Sequence, residues 1–280
     1  TYTETENDLT VKANKRTFIF SKKDGQLKGV SVDNRKISFA NGPRFIGARR
    51  ADRSLDQFYN HDDEKAKEKD RTYSEFPDAA VFTKLDVKED GGNLVVTANY
   101  KLGNLDKAQW TINPSGELAL DYTYNFSGVV DLMGIRFDYP EDQVISKRWL
   151  GAGPYRVWQN RIHGTQYDVW ENDYNDPIPG ETFTYPEFKG YFGDVSWMNI
   201  QTKEGTISLT NETPDAYIGV YQPRDGRDRL LYTLPESGIS VLNVIPPVRN
   251  KVNSTDLCGP SSQPKWVNGA QTGRVIFRFM

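Results

Sequence analysis

The sequence predicts an all-β protein, a large antiparallel two-sheet β-sandwich, and three observations carry that expectation. Polar and apolar residues alternate along most of the chain, which is the period-two pattern of half-buried strands. Turn formers interrupt the alternating runs at short intervals. Aromatic residues are abundant, with 15 tyrosines, 14 phenylalanines and 6 tryptophans among 280 residues, and such side chains pack well on a pleated surface. In order, "LTVKANKRTFIFSKKDGQLKGVSVDNRKISF" (9–39) reads as four strands with turns at Asp24-Gly25 and Asn34, Asp-Gly supplying the positive φ angles of a tight hairpin. The charged run "HDDEKAKEKDR" (His61–Arg71) is a short exposed helix or a solvated connection. Three meanders follow, turning at Gly91-Gly92, at Pro114-Ser115-Gly116 and at Glu204-Gly205. Residues 171–190, "ENDYNDPIPGETFTYPEFKG", hold three prolines and two glycines and read as a long irregular loop, where function often concentrates. "GRVIFRFM" is a final strand. No repeat, low-complexity tract or linker divides the chain, so residues 1–280 are expected to form a single two-layer domain.

Composition excludes several functions. With 35 basic and 38 acidic residues the formal net charge is -3, without the basic excess that a nucleic-acid partner requires. One cysteine, Cys258, and two histidines, His61 and His163, do not assemble a structural zinc site in the usual way. No cofactor or metal is expected; calcium at the Asp/Asn cluster "ENDYND" is an alternative, but the EF-hand spacing is absent. No apolar run approaches the length of a membrane span, so membrane insertion is not expected. The opening "TYTETENDLT" lacks the apolar core of a signal peptide and reads as the start of a mature or excised fragment.

The densest segment is "RWLGAGPYRVWQNR" (148–161), with two glycines, a proline, a tyrosine, two tryptophans and three arginines. Its Gly-Ala-Gly is no phosphate loop, because Pro154 removes a backbone donor and no helix pattern follows. In an extended segment, Arg156, Trp158 and Asn160 share one face, and Tyr155, Val157 and Gln159 the other. Trp158 beside Arg156, Asn160 and Arg161 combines a flat apolar surface with hydrogen-bonding groups, which suits a polyhydroxylated ring. A sheet corner packed by tryptophans, with solvated arginines, is the alternative. Carboxylates are plentiful, and a glycosidase needs only two of them across the scissile bond, so their abundance selects nothing.

Three segments taken together resemble the C-terminal small-chain domain of family 2 glycoside hydrolases, the β-galactosidase type. "GPRFIGARRADRSLD" (42–56) is similar to that domain's Gly-Pro-Arg turn and its Arg-Ala-x-x-x-x-Asp loop. Trp149 to Arg161 resembles its Trp-x-Gly-x-Gly-Pro-x-Glu-x-Tyr-x-Asp-Arg pattern, and "YPEFKGYFGDVSW" (185–197) its Pro-Gln-Glu-x-Gly-Asn loop and Asp-Val-Arg-Trp strand. Order and spacing agree from about Leu9 to Met280. The resemblance implies a supersandwich, the galactose-mutarotase-like fold, at the C-terminus of a longer glycoside hydrolase. There it helps to wall the carbohydrate-binding active site of a catalytic barrel domain that carries both catalytic glutamates. This chain lacks the strand–helix alternation a barrel needs, so no catalytic residue is assigned and the domain is expected to be inactive alone. Arg156, Asn160, Phe188 and Ser196 replace the family's Glu, Asp, Glu and Arg, which alters the partners a buried network can hold.

The resemblance also implies site residues. Trp266, expected in the loop before the final strand, would stack on a sugar ring. Arg156 and Arg161 would donate to hydroxyl or carboxylate oxygens, and Asn160 would brace the turn beside Trp158. Glu187 and Lys189 would shape the loop facing the barrel, and the stretch Arg53–Arg71 would approach the mouth of the active site. The expected partner is a β-linked glycan, and a periplasmic or cell-surface location suits such a role. Three rival readings stay open: a stand-alone carbohydrate-binding module, an aldose-1-epimerase-like enzyme needing a positioned acid and base, and a purely structural domain, favoured if Trp266 is buried.

Overall fold

The computed structural model describes residues 1–50, 73–173, 190–220, 234–247 and 259–280; Arg53–Arg71, Phe188, Glu187 and Lys189 lie outside the described residues, as does most of the 171–190 stretch. Two large sheets account for nearly all the described chain. The first contains ten strands: β1 (Tyr2–Glu4), β2 (Asp8–Ala13), β3 (Arg16–Ser21), β4 (Leu27–Val32), β5 (Arg35–Ile37), β6 (Ala40–Arg50), β7 (Tyr73–Glu75), β12 (Leu132–Asp138), β17 (Tyr217–Gly219) and β18 (Ile239–Val244). The second contains nine: β8 (Val81–Asp90), β9 (Asn93–Lys101), β10 (Leu105–Ile112), β11 (Leu118–Val130), β13 (Val144–Gly153), β14 (Gln166–Asp173), β15 (Trp197–Thr202), β16 (Gly205–Asn211) and β19 (Lys265–Phe279). Strand pairing is antiparallel throughout both ladders, in the order β1-β2-β3-β4-β6-β12-β18-β17 for the first and β14-β13-β15-β16-β19-β11-β10-β9-β8 for the second.

The alternation read from the sequence sets this arrangement. Along β10, Leu105, Ala108, Trp110 and Ile112 are buried, while Lys107 faces solvent. Among the described residues, many aromatics fill the space between the sheets: Phe39 stacks on Phe137 at 4.7 Å, and Phe277 meets Phe137 edge-on at 5.4 Å. Each such pair adds roughly 0.5–1.5 kcal/mol beyond the area it buries. Tyr124 of β11 also donates its hydroxyl to Asn243 Oδ1 of β18 at 2.6 Å, tying one sheet to the other.

The long pair β11–β19, in register from Leu118↔Phe277 to Val130↔Lys265, forms the spine of the nine-stranded sheet. The chain passes from β11 to β12 through Asp131 alone, whose backbone N–H donates to the Ala48 carbonyl at 2.9 Å. This crossover fixes one end of the sandwich, at which β19 also begins. A second apolar cluster joins Ile46, Ala48, Leu132 and Leu242 of the ten-stranded sheet to Val157, Trp158 and Tyr191. The segment richest in tryptophan and arginine is therefore laid across the sheet at that same end.

Candidate functional site

The site is built on the end of β13. Trp149 is fully buried, donates its indole N–H to the Ala152 carbonyl at 2.9 Å and meets Phe192 edge-on at 4.8 Å. A side chain at Gly153 would meet the Trp170 ring at 2.4 Å, so the second glycine of Gly-Ala-Gly admits an indole, a packing role. Beyond Pro154 the chain pairs with the segment at Tyr191: the Val157 N–H donates to the Tyr191 carbonyl at 2.7 Å, and the return bond is 2.9 Å.

Next comes a tight turn. The Trp158 and Arg161 backbones exchange hydrogen bonds of 3.3 and 2.9 Å around Gln159 and Asn160. Trp158 is 3% exposed and packs edge-on against Tyr191 at 5.7 Å. Arg156 is 2% exposed, its guanidinium 5.9 Å from the centre of the Phe192 ring. This corrects the expected two-faced strand, because Arg156, Val157, Trp158 and Gln159 are all buried. Val157 bridges to Tyr191 along its edge, and Val157, Trp158 and Tyr191 all enter the second apolar cluster. Asn160 is half-buried and Arg161 exposed.

Gln159, to which the sequence analysis gave no role, makes the connection to Trp266. Its backbone N–H donates to the Pro246 carbonyl at 3.0 Å, and its side-chain amide donates to the carbonyls of Ser261 and Gln263 at 2.9 and 2.7 Å. The loop leading into β19 is thereby held against the turn 158–161. Nothing in the sequence pairs Gln159 with that loop, because the contact is to backbone oxygens about a hundred residues later.

Trp266 lies on β19 itself, paired with Val129, and this corrects its expected place in a loop. At 72% exposure it is the most open of the six tryptophans, whereas the purely structural reading is favoured by a buried one. Its face of the strand continues through Asn268, which accepts a hydrogen bond from Ser127 at 2.8 Å. Ser196, standing where the resemblance has arginine, shares a 2.6 Å hydrogen bond with the Tyr167 hydroxyl. The structure thus gathers Trp158, Asn160, Arg161 and the loop preceding Trp266 at one end of the sandwich, with Arg156 buried in the same segment against Phe192. Among the described residues, no group of three or more His, Cys, Asp or Glu side chains is placed to hold a metal ion, and no helix is long and apolar enough to cross a membrane.

Comparison with known proteins bears on both fold and family. Over its full length the chain is similar to a galactose 1-epimerase from Lactobacillus acidophilus NCFM, with a TM-score of 0.51, 10% identity and coverage of 100% of this chain and 98% of that one. It is also similar to the α-N-acetylgalactosaminidase NagBb from Bifidobacterium bifidum (TM-score 0.45, 10% identity, 97% of this chain and 36% of that one). A galactose mutarotase-like protein from Lactobacillus casei ATCC 334 gives a TM-score of 0.44 and 12% identity over 98% of this chain and 100% of that one. At such identities the epimerase likeness establishes the fold, the galactose-mutarotase-like supersandwich expected from the sequence. No curated protein matches the chain in sequence. The family profile described as β-galactosidase small chain matches residues 12–262, and the chain accordingly belongs to the β-galactosidase small chain family.

Proposed function

We propose that this chain is the C-terminal accessory domain of a family 2, β-galactosidase-like glycoside hydrolase, and that it walls and positions the sugar in the active site of a catalytic barrel outside this chain. The observation that carries the reading is Trp266: its indole is 72% exposed on a rigid strand, and the loop leading to it is clamped by Gln159. An exposed aromatic on a backbone fixed by strand pairing offers a stacking face whose two side-chain torsions cost little entropy to order. Arg161, exposed at the adjoining turn, donates to sugar oxygens, and Asn160 shapes that turn. Arg156 and Trp158 support the turn from behind. Glu187 and Lys189 remain assigned to the loop that faces the barrel. The chain is taken as one domain, and its partners as a β-linked glycan and the barrel.

Trp266→Ala in the polypeptide that joins this chain to its barrel is expected to raise KM for a β-galactoside about tenfold, the loss of roughly 1.4 kcal/mol of stacking. Folding should be untouched, because so exposed a residue buries little. Unchanged KM and kcat would remove Trp266 from the site and with it the main support for this reading.

A further inference from the structure

At the end of the sandwich opposite Trp266 lies a cleft of about 510 Å³, lined among others by Lys36, Asn41, Arg136, Asp138, Glu236 and Ser237. Strand β12 runs from Leu132, beside the first site, to Asp138 in this cleft, a span of about 20 Å at the usual rise per strand residue. The volume is that of a small-molecule site. Arg136 also lines a smaller hollow of about 250 Å³ with Arg44, Glu75 and Asp78, so the two hollows meet at one guanidinium.

The cleft is built rather than incidental. Ser237 is 1% exposed, and its hydroxyl has no hydrogen-bond partner; Arg44 Nε is likewise buried and unpaired. Buried polar atoms are normally satisfied, so the Ser237 hydroxyl at the cleft and Arg44 Nε at the adjoining hollow each call for a partner. The neighbouring groups are held in position: Arg44 pairs with Asp138, Asn41 donates to Asp138 at 2.9 Å, and Arg136 donates to the Glu236 carbonyl. Burial, with the nearby Arg44 charge, lowers the pKa of Arg136.

Charge and chemistry select the ligand. The two hollows present three cations, Lys36, Arg44 and Arg136, against five carboxylates, Glu75, Asp78, Asp138, Glu141 and Glu236. That balance disfavours an anion. Around the larger cleft, Ala40, Tyr139, Pro140 and Gly238, with the side-chain stems beside them, present apolar surface comparable to the polar surface, a mixture that matches the C–H and hydroxyl faces of a sugar ring. Charged donors and acceptors of both signs around a hollow of mixed polarity suit vicinal hydroxyls, which donate to a carboxylate and accept from a guanidinium or ammonium at once. We propose that this cleft is a second carbohydrate site, taking one neutral pyranose unit whose hydroxyls bridge Lys36 and Arg136 to Glu236 and recruit the Ser237 hydroxyl. The site is independent of the role assigned to Trp266.

Calorimetric titration of the chain with methyl β-D-galactopyranoside, methyl β-D-glucopyranoside and glucuronate tests this. Saturable binding of at least one neutral glycoside is expected. Lys36→Met and Glu236→Gln, both at exposed positions, should each weaken it about tenfold, as loss of a charge-assisted hydrogen bond does. Ser237→Ala should weaken it while leaving the fold as stable or more so. Trp266→Ala should leave it unchanged. No binding of either neutral glycoside, tighter binding of glucuronate, or binding that is lost with Trp266→Ala but kept in Lys36→Met would each overturn the proposal.

Discussion

Asp78 shows how burial and charge compete at a single residue. Although Asp78 stays exposed at the surface, desolvation on its packed side raises its carboxyl pKa above the ordinary 3.8, and this outweighs the Ala80 N–H and the attraction of Arg44 and Arg136, all of which lower it. A group whose pKa is raised on folding holds its proton more tightly in the folded chain. Its contribution to stability is therefore fully present below 3.8 and is lost as pH rises through the folded value. Asp78→Asn is expected to be more stable than the wild type at pH 7, with the difference shrinking towards about pH 4; urea melts at both values check this, and a difference that grows in acid contradicts it. Trp266 is legible from sequence alone, because a tryptophan among Ser, Pro, Gly and Asn has few local apolar neighbours. Gln159 and Ser237 are not, since an amide or a hydroxyl acquires its meaning only from the carbonyls or the hollow beside it.

At the scale of the element, β12 depends on a close approach of backbones. A Cβ at Gly134 would lie 2.2 Å from the Val241 carbonyl oxygen of the neighbouring β18, whereas one at Gly29 of β4 meets nothing within 4 Å. Gly134→Ala is expected to cost about 3 kcal/mol, at the upper end of overpacking penalties, and Gly29→Ala close to nothing; equal urea midpoints for the two variants would refute the assignment. Hairpins marked by Asp24-Gly25, Gly91-Gly92 and Glu204-Gly205 are evident in the sequence because glycine punctuates them. The turn at Asn14-Lys15 is harder to see: its φ angles of 37° and 56° put a lysine where glycine is usual. Strand β14 also escapes sequence reading. It is an edge strand with five of its first six residues exposed, and without a buried face it shows no alternation.

For the whole molecule, alternation and aromatic content were sufficient for the two-sheet sandwich, since period-two burial leaves few other ways to cover so many large side chains. Strand order was not legible, because pairings such as β6 with β12 or β11 with β19 join residues far apart in the chain, and local pattern does not encode them. The same holds for the two ends of the sandwich: the crossover at Asp131 gathers the turn 158–161 and the start of β19, and the opposite end collects Lys36, Arg136 and Ser237. The proposed sugar-handling role starts from family membership, and its most exposed candidate contact is Trp266. Among the remaining tryptophans, Trp110, Trp149 and Trp158 are buried and Trp170 and Trp197 half-buried, so mild indole oxidation should strike Trp266 first. The decisive measurement is the peptide-resolved oxidation rate of Trp266 in the barrel-bearing polypeptide, with and without a saturating β-galactoside analogue. Protection of Trp266 by the analogue is the predicted result; an unchanged rate, with the analogue demonstrably bound, would contradict its placement against the sugar.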